Sequence, residues 1–237
     1  MLSINNLTKL YKGSEKGIRN LTLDLTEGDI CAFIGMNGAG KTTAIKSIVG
    51  IHSFDQGAIE FDGVSIEKKP REFKQMVGYS PDTPVLYRNM TGYSYLELIG
   101  SIYQIDNATI NEQLNTLLKK LNFGSAIHEL ISTYSHGMKQ RLVLISILMH
   151  NPKLIILDEP FVGLDPNATY FLQEEMKKRA AEGSIVLYST HVLEVAEKLC
   201  NKVVMIHNGE VVVNDTMINL LSESSLGEKF RSITAHE

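Results

Sequence analysis

A chain of 237 residues with 43% hydrophobic and 21% charged side chains has the make-up of an ordinary globular domain, which sets aside disordered, collagen-like and disulfide-scaffold classes. Lys and Arg total 23 against 27 Asp and Glu, a net charge of -4, so the basic footprint of a nucleic-acid binder is missing and no nucleic-acid partner is expected. Cys31 and Cys200 lie far apart in apolar runs and read as buried free thiols in a reducing compartment.

The N-terminus lacks a basic stretch followed by an apolar core, and no run approaches the ~20 apolar residues that span a bilayer. A cytoplasmic location follows as the expectation, with any membrane attachment made through a partner. The chain opens with short strand patterns, Leu2–Leu10 and 21–25, expected to form an antiparallel β subdomain. The continuous apolar run Ile30–Ile34 resembles a strand buried on both faces. A glycine-rich loop follows, then a helical pattern through Ile45, Ile48 and Val49 that stops at Gly50, a suitable C-terminal residue.

Between Tyr79 and Asn151 the pattern turns helical, clearest where Ile110, Leu114, Leu117, Leu118 and Leu121 recur at helical spacing. We read 83–150 as an inserted helical subdomain. Two further buried-strand patterns, Leu154–Leu157 and 185–188, each precede a helical pattern, so the core is α/β with a mainly parallel sheet. Strands at 203–206 and 210–213 are joined by His207-Asn208-Gly209, a strong hairpin signal. The polar tail, 222–237, is expected to be loose. All of it reads as a single domain, 1–237.

Residues 35–42, GMNGAGKT, fit the phosphate-loop pattern G-x-x-x-x-G-K-S/T and lie between a buried strand and a helix, the context the pattern needs. Gly35, Asn37, Gly38, Ala39 and Gly40 let backbone N–H groups approach phosphates, Lys41 reaches the outer oxygens, Thr42 offers a hydroxyl to Mg²⁺, and Thr43 is counted with them as cofactor-binding. In LIILDEP, an apolar strand delivers Asp158 and Glu159 at its C-terminal end, where open α/β sheets bind ligands. Adjacent strand residues face opposite ways, so Asp158 is expected to organise Mg²⁺ and Glu159 to orient or deprotonate water. The segment YSHGMKQR opens another helix. Ser135 followed by Gly137 is an ordinary helix cap, and the same geometry also makes an anion site.

In this order the motifs resemble the ATP-binding subunit of ABC transporters, over nearly the whole chain. The resemblance implies a P-loop NTPase core, with ATP and Mg²⁺ as cofactors. It implies that Tyr11 stacks on adenine, although a packed surface Tyr fits as well. Ser135 and Gly137 resemble the signature that meets the γ-phosphate held by the opposite subunit, so each ATP would sit between two copies, in a homodimer or heterodimer. Asp165, in GLDP, resembles the loop by which the two subunits signal, and is also a good N-cap before Pro166. His191 resembles the switch histidine that contacts the γ-phosphate and water. Transmembrane permease subunits are the implied partners, and the segment 81–103, with Tyr87, Tyr93 and Tyr95, is either their contact or core.

Two departures stand out. Where the family has Gln after Gly-Tyr-x-Pro, this chain has Asp82, a hard ligand for Mg²⁺ that adds negative charge near the γ-phosphate; slow or gated hydrolysis is expected. His136 and Met138 replace the usual Gly and Gln of the signature. The signature and DEPFVGLDP look more like exporters of drugs, peptides or lipids than importers. The rival readings are a soluble ABC ATPase acting on ribosomes or DNA, which lacks here its paired cassette or long coiled coil, and a P-loop kinase or GTPase, which leaves Ser135 and the LDEP carboxylates unexplained.

Overall fold

The computed structural model describes residues 1–14 and 16–234, with the side chains of 107–113 and 223 left aside. Two sheets share the core. Antiparallel strands β1 (Leu2–Leu10), β2 (Gly17–Leu25), β4 (Gln56–Phe61) and β5 (Val64–Ser65) are ordered β2-β1-β4-β5. The second sheet is ordered β10-β9-β3-β8-β7-β6, from β3 (Ile30–Ile34), β6 (Val77–Ser80), β7 (Leu154–Leu157), β8 (Ile185–Thr190), β9 (Lys202–His207) and β10 (Glu210–Thr216). Its strands run parallel from β9 to β6, and β10 pairs antiparallel at one edge.

The continuous apolar run of β3 is explained by what lies on its two faces. Ile30, Ala32 and Ile34 join the cluster that contains Leu142, Leu144, Leu172 and Ala196, whereas Cys31 and Phe33 join the cluster with Leu2, Leu23, Ile45 and Ile59. One face is thus covered by helices α5 (His136–Leu148), α6 (Pro166–Ala181) and α7 (Leu193–Leu199), the other by the antiparallel sheet and α1 (Lys41–Ile48). A strand covered on both sides has no reason to alternate. Cys31 and Cys200 are buried and unbridged, and burial pushes the Cys200 thiol up to about 12.

Helix α2 (Pro70–Gln75) and strands β4 and β5 were not read from the sequence, since Gly57, Asp62 and Gly63 interrupt any clean period. Within 83–150, regular helix begins at α3 (Gly92–Ile102) and continues through α4 (Asn107–Lys120), two short 3-10 turns and α5. Leu114, Leu117 and Leu121 are buried, as the period implies, and Ile110 lies outside the described side chains. The β9–β10 turn has Asn208 at φ 48 and Gly209 at φ 80, both in the left-handed region, the geometry a tight hairpin selects.

The segment expected to be loose, 222–237, carries helix over most of its described length. Helices α8 (Met217–Glu223) and α9 (Leu226–Thr234) close the described chain, and residues 235–237 lie outside the described residues. Leu226 is fully buried, Phe230 and Ile233 pack against the same core cluster, and the Leu226 N–H donates to Glu197 Oε1 at 2.8 Å. Polar composition hid a helix whose apolar positions recur on one face. Among the described residues no helix is long and apolar enough to cross a membrane.

Candidate functional site

Strand order positions the site. Because β3, β8, β7 and β6 are neighbours and parallel, the loops leaving their carboxyl ends converge on one edge of the sheet. The loop after β3 carries 35–42, the chain after β6 carries Asp82, that after β7 carries Asp158 and Glu159, and that after β8 carries His191. A cavity of about 320 Å³ at this edge is lined by Tyr11, Asn37, Gly40, Lys41, Thr42, Thr43, Asp82 and Glu159, among others.

Gly40 precedes α1 with φ 111, and a Cβ there would meet the Gly17 carbonyl oxygen at 2.6 Å, so only glycine completes this turn. No side chain caps α1, which leaves its first N–H groups without a side-chain partner at the end that borders the cleft. Lys41 is buried and donates from Nζ to the Gly35 and Met36 carbonyls at 2.6 and 3.3 Å, with Glu159 Oε1 at 3.9 Å. Burial pushes its ammonium pKa down against the opposing pull of Glu159 and Asp158. Tyr11 is 42% exposed and its hydroxyl lies 3.2 Å from Thr43 Oγ1.

The carboxylates differ in environment, though not through strand alternation, since β7 ends at Leu157. Asp158 is fully buried; its Oδ1 accepts from Ser189 Oγ at 2.5 Å, and the Thr42 hydroxyl stands near enough to favour the charged carboxylate. Burial raises its pKa, opposed by those two hydroxyls. Its Oδ2 is buried with no hydrogen-bond partner. A buried carboxylate oxygen in that condition beside a threonine hydroxyl fits a hard divalent cation. Glu159 takes φ 47, a conformation uncommon for a residue with a side chain. Its Oε2 lies 2.9 Å from His191 Nδ1.

Sequence reasoning missed Ser189, which also accepts the Glu159 N–H at 2.8 Å and so ties both carboxylates to β8. The parallel register pairs Leu157 with Tyr188, which brings Asp158 beside Ser189, and no local signal reports a register between strands so far apart in the chain. Lys16 and Gly17 at the cleft wall were missed for the same reason.

Ser135, Gly137 and Asp165 do not line this cleft. Ser135 is the N-cap of α5 and accepts the Met138 N–H at 3.2 Å; Asp165 is the N-cap of α6 and accepts from Asn167 and Ala168, each at 3.0 Å. The two caps are packed together: a Cβ on Gly137 would meet the Gly163 carbonyl oxygen at 2.6 Å, and Arg141 Nη1 lies 3.9 Å from Asp165 Oδ2.

This arrangement has close counterparts. A family model described as ABC transporter matches residues 18–162. The ABC-type transporter ATP-binding protein EcsA of Bacillus subtilis (strain 168) is 33% identical, with 100% of this chain and 98% of that protein covered. The lantibiotic transport ATP-binding protein SrtF of Streptococcus pyogenes is 32% identical, with 98% and 100% covered. A solved structure of an ATP-binding subunit of an ABC transporter superposes with TM-score 0.94 at 33% identity, covering 99% of both chains. A loop, a strand-end carboxylate pair and a capped signature helix held in this order, with relatives matched from end to end, mean that this chain belongs to the ABC transporter family, among its ATP-binding subunits.

Proposed function

We propose that this chain binds ATP with Mg²⁺ in the cleft, hydrolyses it through Glu159, and closes on a second ATP-binding subunit to drive export through separate transmembrane subunits. The observation that carries the reading is the placement of Glu159, with Lys41 Nζ 3.9 Å from one oxygen and His191 Nδ1 2.9 Å from the other. A general base needs a positioned carboxylate and a group that orients it.

In this reading the loop N–H groups and Lys41 hold the phosphates, and Tyr11 stands where a base would stack. Thr42, Asp158 and Asp82 would hold Mg²⁺, which would supply positive charge against the charge that develops on the phosphate oxygens. Glu159 accepts a proton from the attacking water while His191 fixes the carboxylate's direction. Ser135, Gly137 and Asp165 lie on the face offered to the second subunit, homomeric or not, where the α5 N-terminus meets the γ-phosphate of the other copy.

A groove of about 820 Å³, lined by Tyr79, Asp82, Val85, Tyr95, Tyr103 and His150 among others, supports docking of a permease segment beside the 81–103 region. Tyr87 is 63% exposed there, whereas Tyr95 is 9% exposed and belongs to the core. The relative SrtF is named for lantibiotic transport, which supports a peptide among the peptide, drug or lipid cargoes. Membership among the transporter subunits supports a location at the cytoplasmic face of the membrane.

The test is to tag the protein in its native cell, solubilise gently and identify what co-purifies, alongside ATP turnover of the isolated chain. A polytopic membrane protein together with Mg²⁺-dependent turnover is the expected result. Ribosomes or DNA-repair factors without any membrane protein would overturn the transport reading.

A further inference from the structure

Asp82 stands at the junction of two cavities. Among the described residues it alone lines both the cleft that holds the phosphate loop and the larger groove beside α3 and α5. Its carboxylate is exposed, with Oδ1 accepting the neighbouring Thr83 N–H at 2.7 Å. Its field reaches Asp158 on one side and the buried Tyr79 hydroxyl on the other, adding to the burial that raises both pKa values.

The charge inventory of the cleft gives that position a consequence. Among the described lining residues the cations are Lys16 and Lys41 and the anions are Asp82 and Glu159, with Asp158 close behind. With an amide at position 82 the two ammonium groups would face two carboxylates. With Asp82 they face three, before any phosphate arrives. A metal-free triphosphate brought into that field meets more repulsion than it would beside an amide, whereas one carrying a divalent cation brings the charge that all three carboxylates lack.

We infer that Asp82 makes this site selective for cation-bound nucleotide, its carboxylate excluding the metal-free form by repulsion and admitting the metal complex. The inference rests on the ATP-binding reading above. It concerns the free energy of binding, and is distinct from any effect of Asp82 on the rate of hydrolysis.

The test is calorimetric titration of the isolated full chain with a non-hydrolysable β,γ-imido analogue of ATP, once in EDTA and once in excess Mg²⁺. Wild type is compared with Asp82→Asn and Asp82→Gln. The expected result is that both variants bind the metal-free analogue more tightly, on the order of fivefold for one screened charge near a protein surface, and that the ratio of Mg²⁺ to EDTA affinity narrows by at least that factor. A gain in affinity cannot arise from misfolding. Metal-free affinity that is unchanged or weaker in both variants, with wild type binding normally in Mg²⁺, overturns the inference and leaves the ATP-binding reading intact. Wild type that binds in neither condition overturns that reading, and this inference with it.

Discussion

His191 Nδ1 lies 2.9 Å from Glu159 Oε2, across the gap between the ends of β8 and β7. The imidazole is 59% exposed while the carboxylate is 18% exposed, so the histidine approaches from the open side and holds the carboxylate against Lys41. Glu159→Gln keeps the shape and removes the basicity. ATP turnover is expected to fall by at least about 100-fold with nucleotide binding retained, and His191→Ala to fall by about tenfold or more through loss of orientation. Steady-state turnover read beside equilibrium nucleotide binding checks both; a Glu159→Gln protein of near wild-type turnover would remove Glu159 from the chemistry.

Ser189 is fully buried and makes two bonds at once, donating to Asp158 and accepting from the Glu159 N–H. Ser189→Ala leaves a buried carboxylate oxygen and a backbone donor without these partners. The expected cost is about 1–3 kcal/mol of stability, seen as a fall of about 2–4 °C in melting temperature per kcal/mol. Mg²⁺ dependence of turnover should also weaken, because Asp158 loses the group that directs it. Unchanged melting and unchanged metal dependence together would show that Ser189 is incidental.

Arg141 ties the C-terminal end of α4 to the N-terminal caps of α5 and α6. Its Nη1 donates to the Leu121 carbonyl at 2.9 Å and the Asn122 carbonyl at 3.4 Å, its Nε donates to the Gly137 carbonyl at 3.4 Å, and Asp165 lies 3.9 Å away. The Ala168 N–H, with Arg141 and the Asn167 N–H adding to it, holds the Asp165 carboxyl below its usual range. Arg141→Ala should therefore disturb the two helix caps together. In a Glu159→Gln background, ATP-driven self-association is expected to weaken by about tenfold, the size of a lost charged hydrogen bond, while nucleotide affinity of the single chain holds. Sedimentation in ATP reads the first and calorimetry the second; equal losses in both would mean general unfolding.

Asp29 couples pH to the join between β3 and β9. It is 5% exposed, and burial alone would push its pKa up. Hydrogen bonds from Thr26 and the Lys202 ammonium, 2.9 Å away, outweigh burial and leave it lowered. A carboxyl lowered in the folded state contributes stability that is present above its unfolded value of about 3.9 and is lost as pH falls through the folded value. Asp29→Asn is expected to cost about 1–2 kcal/mol at neutral pH. The difference from wild type should shrink as pH falls below the ordinary carboxylate range. Denaturant titrations at neutral and acid pH check the sign; a difference that grows in acid would reverse it.

The relation between sequence and structure divides along the range of the interactions involved. The β3 run, the 35–42 loop, the helix stopping before Gly50, the strand leading to Asp158 and the Asn208-Gly209 turn were legible because each depends on period, glycine conformation or side-chain type within a few neighbouring residues. Only tertiary structure decided that β3, β8, β7 and β6 lie side by side, since pairing residues 30–34 with 186–190 is a long-range choice that no local pattern records. That choice brings Lys41, Glu159 and His191 together, and the register Leu157 with Tyr188 sets Ser189 under both carboxylates. It also turns a polar tail into helix α9, whose few apolar residues mean little until α7 and β9 give them a surface to cover. Residue type and local order determined what chemistry the chain carries, while long-range strand pairing and core burial decided where those groups meet.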